Sequence, residues 1–386
     1  MSQGQWRRLL LWLDYSGLAL YFLDRINELQ ICDWLPAEAL DGLRQRQIDN
    51  AERTRTLIEE SIDLQKEFQQ AGLRYAVLKG LSNWPVSTPR ADLRSQFDLD
   101  FLIAEEDLDE GRRTMERRGY RLYSTTGMSW EFRRNERPGL SIKDIYKPMP
   151  SFLVELHTKD RRPGQRRLLD HTETRELFGM SMPVLSPADQ FISQGLHAFK
   201  HVCTEFPRAS HLLEFRRHVI ARAKDAGFWS EVRDLAQCDP NAPMRLGAVI
   251  LLISGVMGEF APHELTHWTT DQIPREVALW IELYGKRTVL ARFPGSKLYL
   301  LLQRELGRAC PLPVRPIHRK IVPLYLPLPV VHAAPNETLR VRTSRYRMQL
   351  EVILTRAYFH IVQGARCYWE LRRFRRQLAL LRRRAA

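Results

Sequence analysis

The stretch Phe97-Asp98-Leu99-Asp100-Phe101-Leu102-Ile103 is the part of the sequence that decides the expected fold. It holds two closely spaced carboxylates in an apolar run. Its apolar residues are strong strand formers, so it predicts a buried β-strand. Residues two apart on a strand point to the same face, which places the carboxylates of Asp98 and Asp100 side by side. Two like charges in an apolar setting repel each other and lose solvation. A divalent cation with oxygen ligands would offset both costs, so the pair predicts a magnesium site, and bound magnesium usually accompanies phosphates.

A glycine turn precedes this strand along the chain. The apolar run Tyr75–Leu78 predicts a strand that enters a turn at Gly80. Glycine lets a backbone approach a phosphate closely, and the amides after it and the Ser82 hydroxyl can donate hydrogen bonds. Arg94, shortly before the acidic strand, could neutralise a phosphate or orient the intervening loop. Lys79 could contact the nucleotide or pair with the acidic cluster, and both roles stay open.

A third carboxylate is expected on a neighbouring strand. Glu155, in the apolar run Val154-Glu155-Leu156-His157, is the best candidate. It could complete a second metal site and accept the proton of an attacking hydroxyl. The alternative for all three acids is a simpler one, in which they are solvated carboxylates on an edge strand or at a strand end. His157 is expected to orient the strand end.

The composition is that of a basic globular protein. The 386 residues include 44% hydrophobic and 27% charged residues, which suits folded cores and not disorder. A net charge of +14 favours polyanionic partners such as nucleotides, nucleic acid or an anionic membrane surface. The apolar runs are too short or too rich in proline for the roughly 20 residues of a spanning helix, so no transmembrane segment is expected.

The cysteines indicate a reducing compartment. They are scattered, odd in number and without a CxxC pair: Cys32, Cys203, Cys238, Cys310 and Cys367. This argues against a disulfide framework or a zinc ribbon and for a cytoplasmic protein.

The periodicity divides the chain into four regions. Residues 1–71 predict an N-terminal helical region, and residues 72–185 an α+β core. Residues 186–310 predict a helical domain, and residues 311–386 a proline-rich segment followed by a long basic helix. Strand-like runs in the core after the acidic strand are Tyr120–Ser124, Trp130–Arg133, Leu140–Tyr146 and Phe152–His157.

Two features outside the core have a functional and a structural interpretation. His197 and His201 stand four apart on one helix face, but without an HExxH glutamate or a nearby third ligand we expect packing and not zinc. The run Leu371, Phe374, Leu378 and Leu381 predicts a core-facing stripe. Opposite the stripe stand Arg372, Arg373, Arg375, Arg376, Arg382, Arg383 and Arg384. They predict a solvated face or a site for nucleic acid or another anionic surface.

Several of these segments occur in a recognisable order. They are Tyr75–Gly80, Arg94–Ile103, Glu106-Asp107, Arg118-Gly119-Tyr120 and Val154–His157. Together they resemble the uncharacterised bacterial nucleotidyltransferase family of the DNA polymerase β-like superfamily. The resemblance covers about 72–160 and extends more loosely through Leu185–Asp189 and Leu196–His201.

The resemblance implies a polymerase β-like mixed sheet flanked by N- and C-terminal helical regions. Gly80 and Ser82 would then form the phosphate-binding turn, Asp98 and Asp100 the metal pair, and Glu155 the third acid. The expected activity is the Mg²⁺-dependent transfer of a nucleoside monophosphate from a nucleoside triphosphate to an unidentified acceptor hydroxyl, with release of pyrophosphate. The alternative is a catalytically inactive protein of the same fold that binds RNA or another polyanion through its basic C-terminal surface.

Overall fold

The computed structural model describes residues 1–126, 129–134, 144–149, 152–158, 166–309 and 338–385. The chain begins with three helices, α1 (Gln3–Ser16), α2 (Ala19–Glu28) and α3 (Ala37–Gln70). Helix α1 starts at a capping box, in which the Ser2 and Gln5 side chains each accept a hydrogen bond from the other residue's backbone amide. It ends at Gly17, whose φ of 73° lies in the left-handed region that glycine adopts most easily.

The centre of the molecule is a seven-stranded mixed sheet, which confirms the predicted α+β fold. The strands are β1 (Tyr75–Leu78), β2 (Asp98–Ile103), β3 (Arg121–Thr126), β4 (Ser129–Arg133), β5 (Leu153–His157), β6 (Thr172–Leu177) and β7 (Met180–Leu185). Their order in the sheet is β3-β4-β5-β2-β1-β7-β6. Strand β2 pairs antiparallel with β1 and parallel with β5.

One predicted strand is largely untested, and one hairpin was not predicted. Most of the predicted strand Leu140–Tyr146 lies outside the described residues, and the part that is described, from residue 144, is turn-like. Strands β6 and β7 form a hairpin that the sequence did not indicate.

The alternation of β2 gives the sheet one packed face and one polar face. Leu99, Phe101 and Ile103 are buried in a core with Leu64 and Phe68 of α3. Helix α4 (Leu108–Arg117) adds Met115 to the same core. The intervening residues of β2, beginning with Asp98 and Asp100, therefore point to the opposite face.

A helical half covers that opposite face. Its longer helices are α5 (Pro187–Val202), α6 (Ala209–Ala221), α7 (Ala226–Gln237) and α8 (Ala242–Met257). Shorter ones follow: α9 (His263–Thr266), α10 (Arg275–Trp280), a π-helical turn Ile281–Gly285, α11 (Lys286–Val289) and α12 (Tyr299–Ala309). These elements share one large apolar core that includes Phe191, Phe215 and Trp280.

The last element, α13 (Leu339–Ala385), is a single helix of 47 residues. Phe374 and Leu378 are buried in the core of the helical half, which confirms the predicted core-facing stripe at these positions. The proline-rich segment and Cys310 lie outside the described residues. Among the described helices, none has the length and apolar character that crossing a bilayer requires.

Candidate active site

The acidic residues of β2 and β5 meet on the polar face of the sheet. In the parallel register, Asp98 lies opposite Leu153, and Asp100 lies directly opposite Glu155. Since neighbouring residues in register share a face, the carboxylates of Asp100 and Glu155 stand side by side. His157 follows two residues after Glu155 and points the same way.

Hydrogen bonds connect these groups into one network around Asp100. The Asp100 Oδ1 atom lies 2.6 Å from the Lys79 Nζ atom, which donates to it, and 2.8 Å from the His157 Nε2 atom. The same His157 nitrogen lies 3.3 Å from Glu155 Oε2. Ligand atoms of Asp100, Glu155 and His157 all lie within 4.8 Å of one another, and Asp98 is not part of this trio.

The pKa values of the two aspartates shift in opposite directions. Burial and the neighbouring charge of Asp100 raise the pKa of Asp98 to about 6. Burial acts in the same direction on Asp100, but the hydrogen bond from His157 and the charge of Lys79 outweigh it and lower the Asp100 pKa. The hydrogen bond from His157 also lowers the pKa of Glu155. Asp98 is therefore the carboxylate that most lacks a cation.

The turn after β1 brings Lys79 onto the acids. Lys79 has a φ of 47°, in a region that side-chain-bearing residues rarely occupy, and this unusual backbone accompanies its contact with Asp100. The Ser82 hydroxyl donates to the Lys79 carbonyl oxygen over 2.8 Å and so tightens the turn. Gly80 faces the side chain of Gln96, which leaves no room for a Cβ atom there without a shift.

A cavity of about 320 Å³ opens beside this network, between the sheet and helices α5 and α6. Its polar lining includes Lys79, Ser82, Arg94 and His157, and part of its wall is apolar. The apolar residues are Leu78, Leu102, Leu168, Leu185 and Leu196. A cavity lined by both charged and apolar residues suits a ligand that carries both an anionic and an apolar group.

Arg94 is fixed in the cavity wall by the helical half. Its Nε atom lies 3.4 Å from the Oε1 atom of Glu214 on α6, which is almost fully buried. The hydroxyl of Tyr21 on α2 donates to the same Glu214 oxygen over 3.0 Å. Glu214 and Tyr21 were not predicted as site residues. The only signal for Glu214 is a carboxylate between apolar neighbours in a helix, as in Leu213-Glu214-Phe215.

The same cavity brings a third histidine to His197 and His201. His211 at the start of α6 joins the pair, and ligand nitrogens of the three residues lie within 4.8 Å of one another. His197 and His211 line the cavity. The sequence did not indicate this third histidine, since ten residues and a helix boundary separate it from His201.

The donor set around Asp98 and Asp100 suits a hard cation. The acids supply carboxylate oxygens, which are the ligands that magnesium prefers. Asp98 is half-buried, and its raised pKa is consistent with only partial compensation of its charge by Arg94 and Lys79. The residues that are present therefore fit a magnesium ion, with Lys79 as the cation that now neutralises Asp100.

Comparison with known proteins gives a family match and distant structural likenesses. A family model described as "Uncharacterised nucleotidyltransferase" matches residues 2–248. No curated protein matches the chain. The antibiotic-resistance factor ANT(2'')-Ia is similar to it at 11% identity and a TM-score of 0.30, over 46% of this chain and 96% of that one. An antigenic nucleotidyltransferase-like protein from Paracoccidioides brasiliensis is similar at 14% identity and a TM-score of 0.31, over 56% and 97% of the two chains.

Proposed function

Because the chain belongs to this uncharacterised nucleotidyltransferase family, we propose that it transfers a nucleoside monophosphate from a nucleoside triphosphate to an acceptor hydroxyl, with magnesium as its cofactor and pyrophosphate as the second product. The observation that carries the proposal is the parallel register of Asp100 and Glu155, beside Asp98 and next to the cavity.

The three carboxylates would bind the cation, and Glu155 would also activate the acceptor hydroxyl. Asp98, Asp100 and Glu155 would hold magnesium, which neutralises charge on the phosphate oxygens when it is bound. Glu155 is half-buried, and the hydrogen bond from His157 lowers its pKa. Its carboxylate would take the proton of the attacking hydroxyl. His157 positions both acids through its bonds to them.

Lys79 and the cavity wall suit the triphosphate. With Asp100 serving as a magnesium ligand, the Lys79 ammonium would exchange that carboxylate for a phosphate oxygen. This exchange unites the two roles that the sequence leaves open for Lys79. Ser82 and Arg94 also line the cavity, and its leucines can receive an apolar group such as a base.

Calorimetry with each magnesium–nucleoside triphosphate complex tests the assignment. We expect the wild-type protein to bind at least one of the ATP, GTP, CTP and UTP complexes. The Asp98→Asn, Asp100→Asn double variant should lose that binding while its circular dichroism stays the same. The exposed Asp109, on α4, gives a matched control as Asp109→Asn, which should bind as the wild type does.

Equal binding by the wild type and the double variant would refute the assignment. If the double variant does not fold, the single variant Asp98→Asn decides the question, because removing an under-compensated charge should not destabilise the fold. Release of pyrophosphate from the bound triphosphate, followed with an added pool of candidate hydroxyl compounds, then tests the transfer itself.

A second candidate function rests on α13. Arg372, Arg373, Arg375 and Arg376 are exposed, while Phe374 between them is buried. The packing of Phe374 therefore turns a dense row of guanidinium groups to the solvent. This arrangement supports the binding of RNA or another polyanion, with or without nucleotidyl transfer.

A further inference from the structure

Three imidazoles from two helices converge at the cavity wall. Ring centroids of His197 and His201 are 4.6 Å apart, those of His197 and His211 are 5.0 Å apart, and those of His201 and His211 are 4.4 Å apart. Helix α5 contributes two of the rings, four residues apart and hence on one face, and α6 contributes the third.

The triad has a polar atom that the protein leaves without a partner. His211 is buried, and its Nδ1 atom has no hydrogen-bond partner within the part of the chain that the structure describes. Buried polar atoms are normally bonded, so such an atom beside a cavity points to a ligand. His197 and His211 both border the cavity, which gives that ligand a way in.

Burial keeps the three rings neutral, as metal coordination requires. Burial and the charge of neighbouring groups lower the pKa of His197 to about 3 and that of His201 to about 4. The same causes place the pKa of His211 well below its usual value. A neutral imidazole presents a free nitrogen lone pair.

We propose that His197, His201 and His211 form a binding site for a divalent transition-metal ion of the zinc or cobalt type, separate from the carboxylate site on the sheet. Imidazole nitrogens favour such ions, whereas carboxylate oxygens favour magnesium. Three protein ligands leave a fourth position open, and His197 and His211 border the cavity from which a further ligand could reach it. The proposal does not depend on nucleotidyl transfer.

The triad needs only a small rearrangement to close on an ion. Bonds of about 2 Å in a tetrahedral site require nitrogen separations of about 3.3 Å. Rotation about the terminal torsion of a histidine costs little, so rings whose nitrogens lie within 4.8 Å can reach this separation.

Nearby cations set the expected affinity. Lys79, Lys200, Arg94 and Arg208 all act on one or more of these histidines. Their charges oppose a dication, so we expect binding in the range of about a micromolar and not the tighter range of structural zinc sites.

Titration of the full-length protein with Co²⁺ in excess Mg²⁺ tests the proposal. Visible absorption bands and calorimetry should show one equivalent of Co²⁺, and His211→Gln and His197→Gln should each weaken binding at least tenfold. His267→Gln is the matched control, because His267 also stands four residues from another histidine, His263, but on the surface. It should bind Co²⁺ as the wild type does.

The acidic site provides the second control. The Asp98→Asn, Asp100→Asn variant should keep its Co²⁺ affinity, even where it has lost magnesium–nucleotide binding, so the two proposals can fail separately. If His211→Gln does not fold, the more exposed His201→Gln replaces it. Absence of Co²⁺ binding by the wild type would overturn the proposal. So would wild-type affinity in the His197→Gln and His211→Gln variants, or loss of Co²⁺ binding in either control.

Discussion

Lys79 is a resident cation of the acidic site that would compete with a metal ion for Asp100. Its ammonium group forms an ion pair with the Asp100 carboxylate in the structure. Lys79→Met should therefore strengthen the binding of free Mg²⁺ by about five- to tenfold, since a competing cation is gone. The same variant should weaken nucleotide binding by a similar factor, because a phosphate contact is lost.

Calorimetry with MgCl₂ and then with the nucleotide measures both changes. Lys147→Met, at an exposed lysine that pairs with Asp144, is the control and should change neither affinity. An unchanged Mg²⁺ affinity in Lys79→Met would show that the lysine does not compete for the site.

Glu214 is a buried carboxylate in the cavity wall that contacts both Arg94 and Tyr21. Glu214→Gln would leave the half-buried Arg94 guanidinium without its carboxylate, which should cost about 2–3 kcal/mol of unfolding free energy. Tyr21→Phe removes only one hydrogen bond to the same carboxylate and should cost about 1 kcal/mol. Urea unfolding of both variants checks the difference, and equal losses would contradict this account.

The sequence indicated part of the candidate site and could not indicate the rest. Asp98 and Asp100 are found by strand periodicity, and Glu155 by an apolar run with one acid. The partners Glu214, Tyr21 and His211 come from helices distant in sequence, so only tertiary packing brings them to the cavity. The assigned roles of the predicted residues stay predictions until the variants are measured.

At the level of elements, helix α6 makes the fold sensitive to acid. Burial and nearby arginines lower the pKa of His218 to about 3, and its Nδ1 atom lies 2.7 Å from Gln194 Oε1. The folded state therefore binds fewer protons than the unfolded state below about pH 6.5. Below that pH, His218 alone should lower the unfolding free energy by up to about 1.4 kcal/mol for each unit by which the pH falls.

His218→Gln should reduce that slope, because glutamine does not titrate. Unfolding free energies at several pH values between 7 and 4 measure it, with the exposed His263→Gln as the control. The same slope in the wild type and His218→Gln would contradict the assignment.

Helix α13 allows a test of the polyanion hypothesis that leaves the core intact. Deleting the end of this helix would remove the buried Phe374 and Leu378, so substitution is the better choice. Replacing the four exposed residues Arg372, Arg373, Arg375 and Arg376 by Gln should weaken binding to single-stranded RNA. The salt dependence should also become shallower, because fewer counterions are released. An unchanged slope would place any RNA contact elsewhere.

The β6–β7 hairpin was not predicted because its strand and turn signals are weak. Strand β6 is mostly polar, and Pro183 within β7 argues against a strand. The turn is formed by Phe178 and Gly179, both with positive φ, where Asn-Gly would be the recognisable signal. Pairing with the central strand β1 stabilises what local preference does not.

At the scale of the whole molecule, the cavity depends on three distant parts of the chain. Tyr21 comes from the N-terminal helices, Arg94 from the loop before β2, and Glu214 from the helical half. The N-terminal helices therefore take part in fixing the cavity wall. The helical regions were predicted from periodicity, but their contact through one carboxylate was not, because periodicity carries no information about partners.

The residues that form this cavity wall are synthesised at different times on the ribosome. Residue 94 is synthesised 120 residues before residue 214, a delay of about 6–24 s at typical elongation rates. During that delay helix α6 does not yet cover the nascent sheet, and the Arg94 guanidinium lacks the Glu214 carboxylate. A stalled chain that ends near residue 205 should thus remain open to proteases that the finished protein resists.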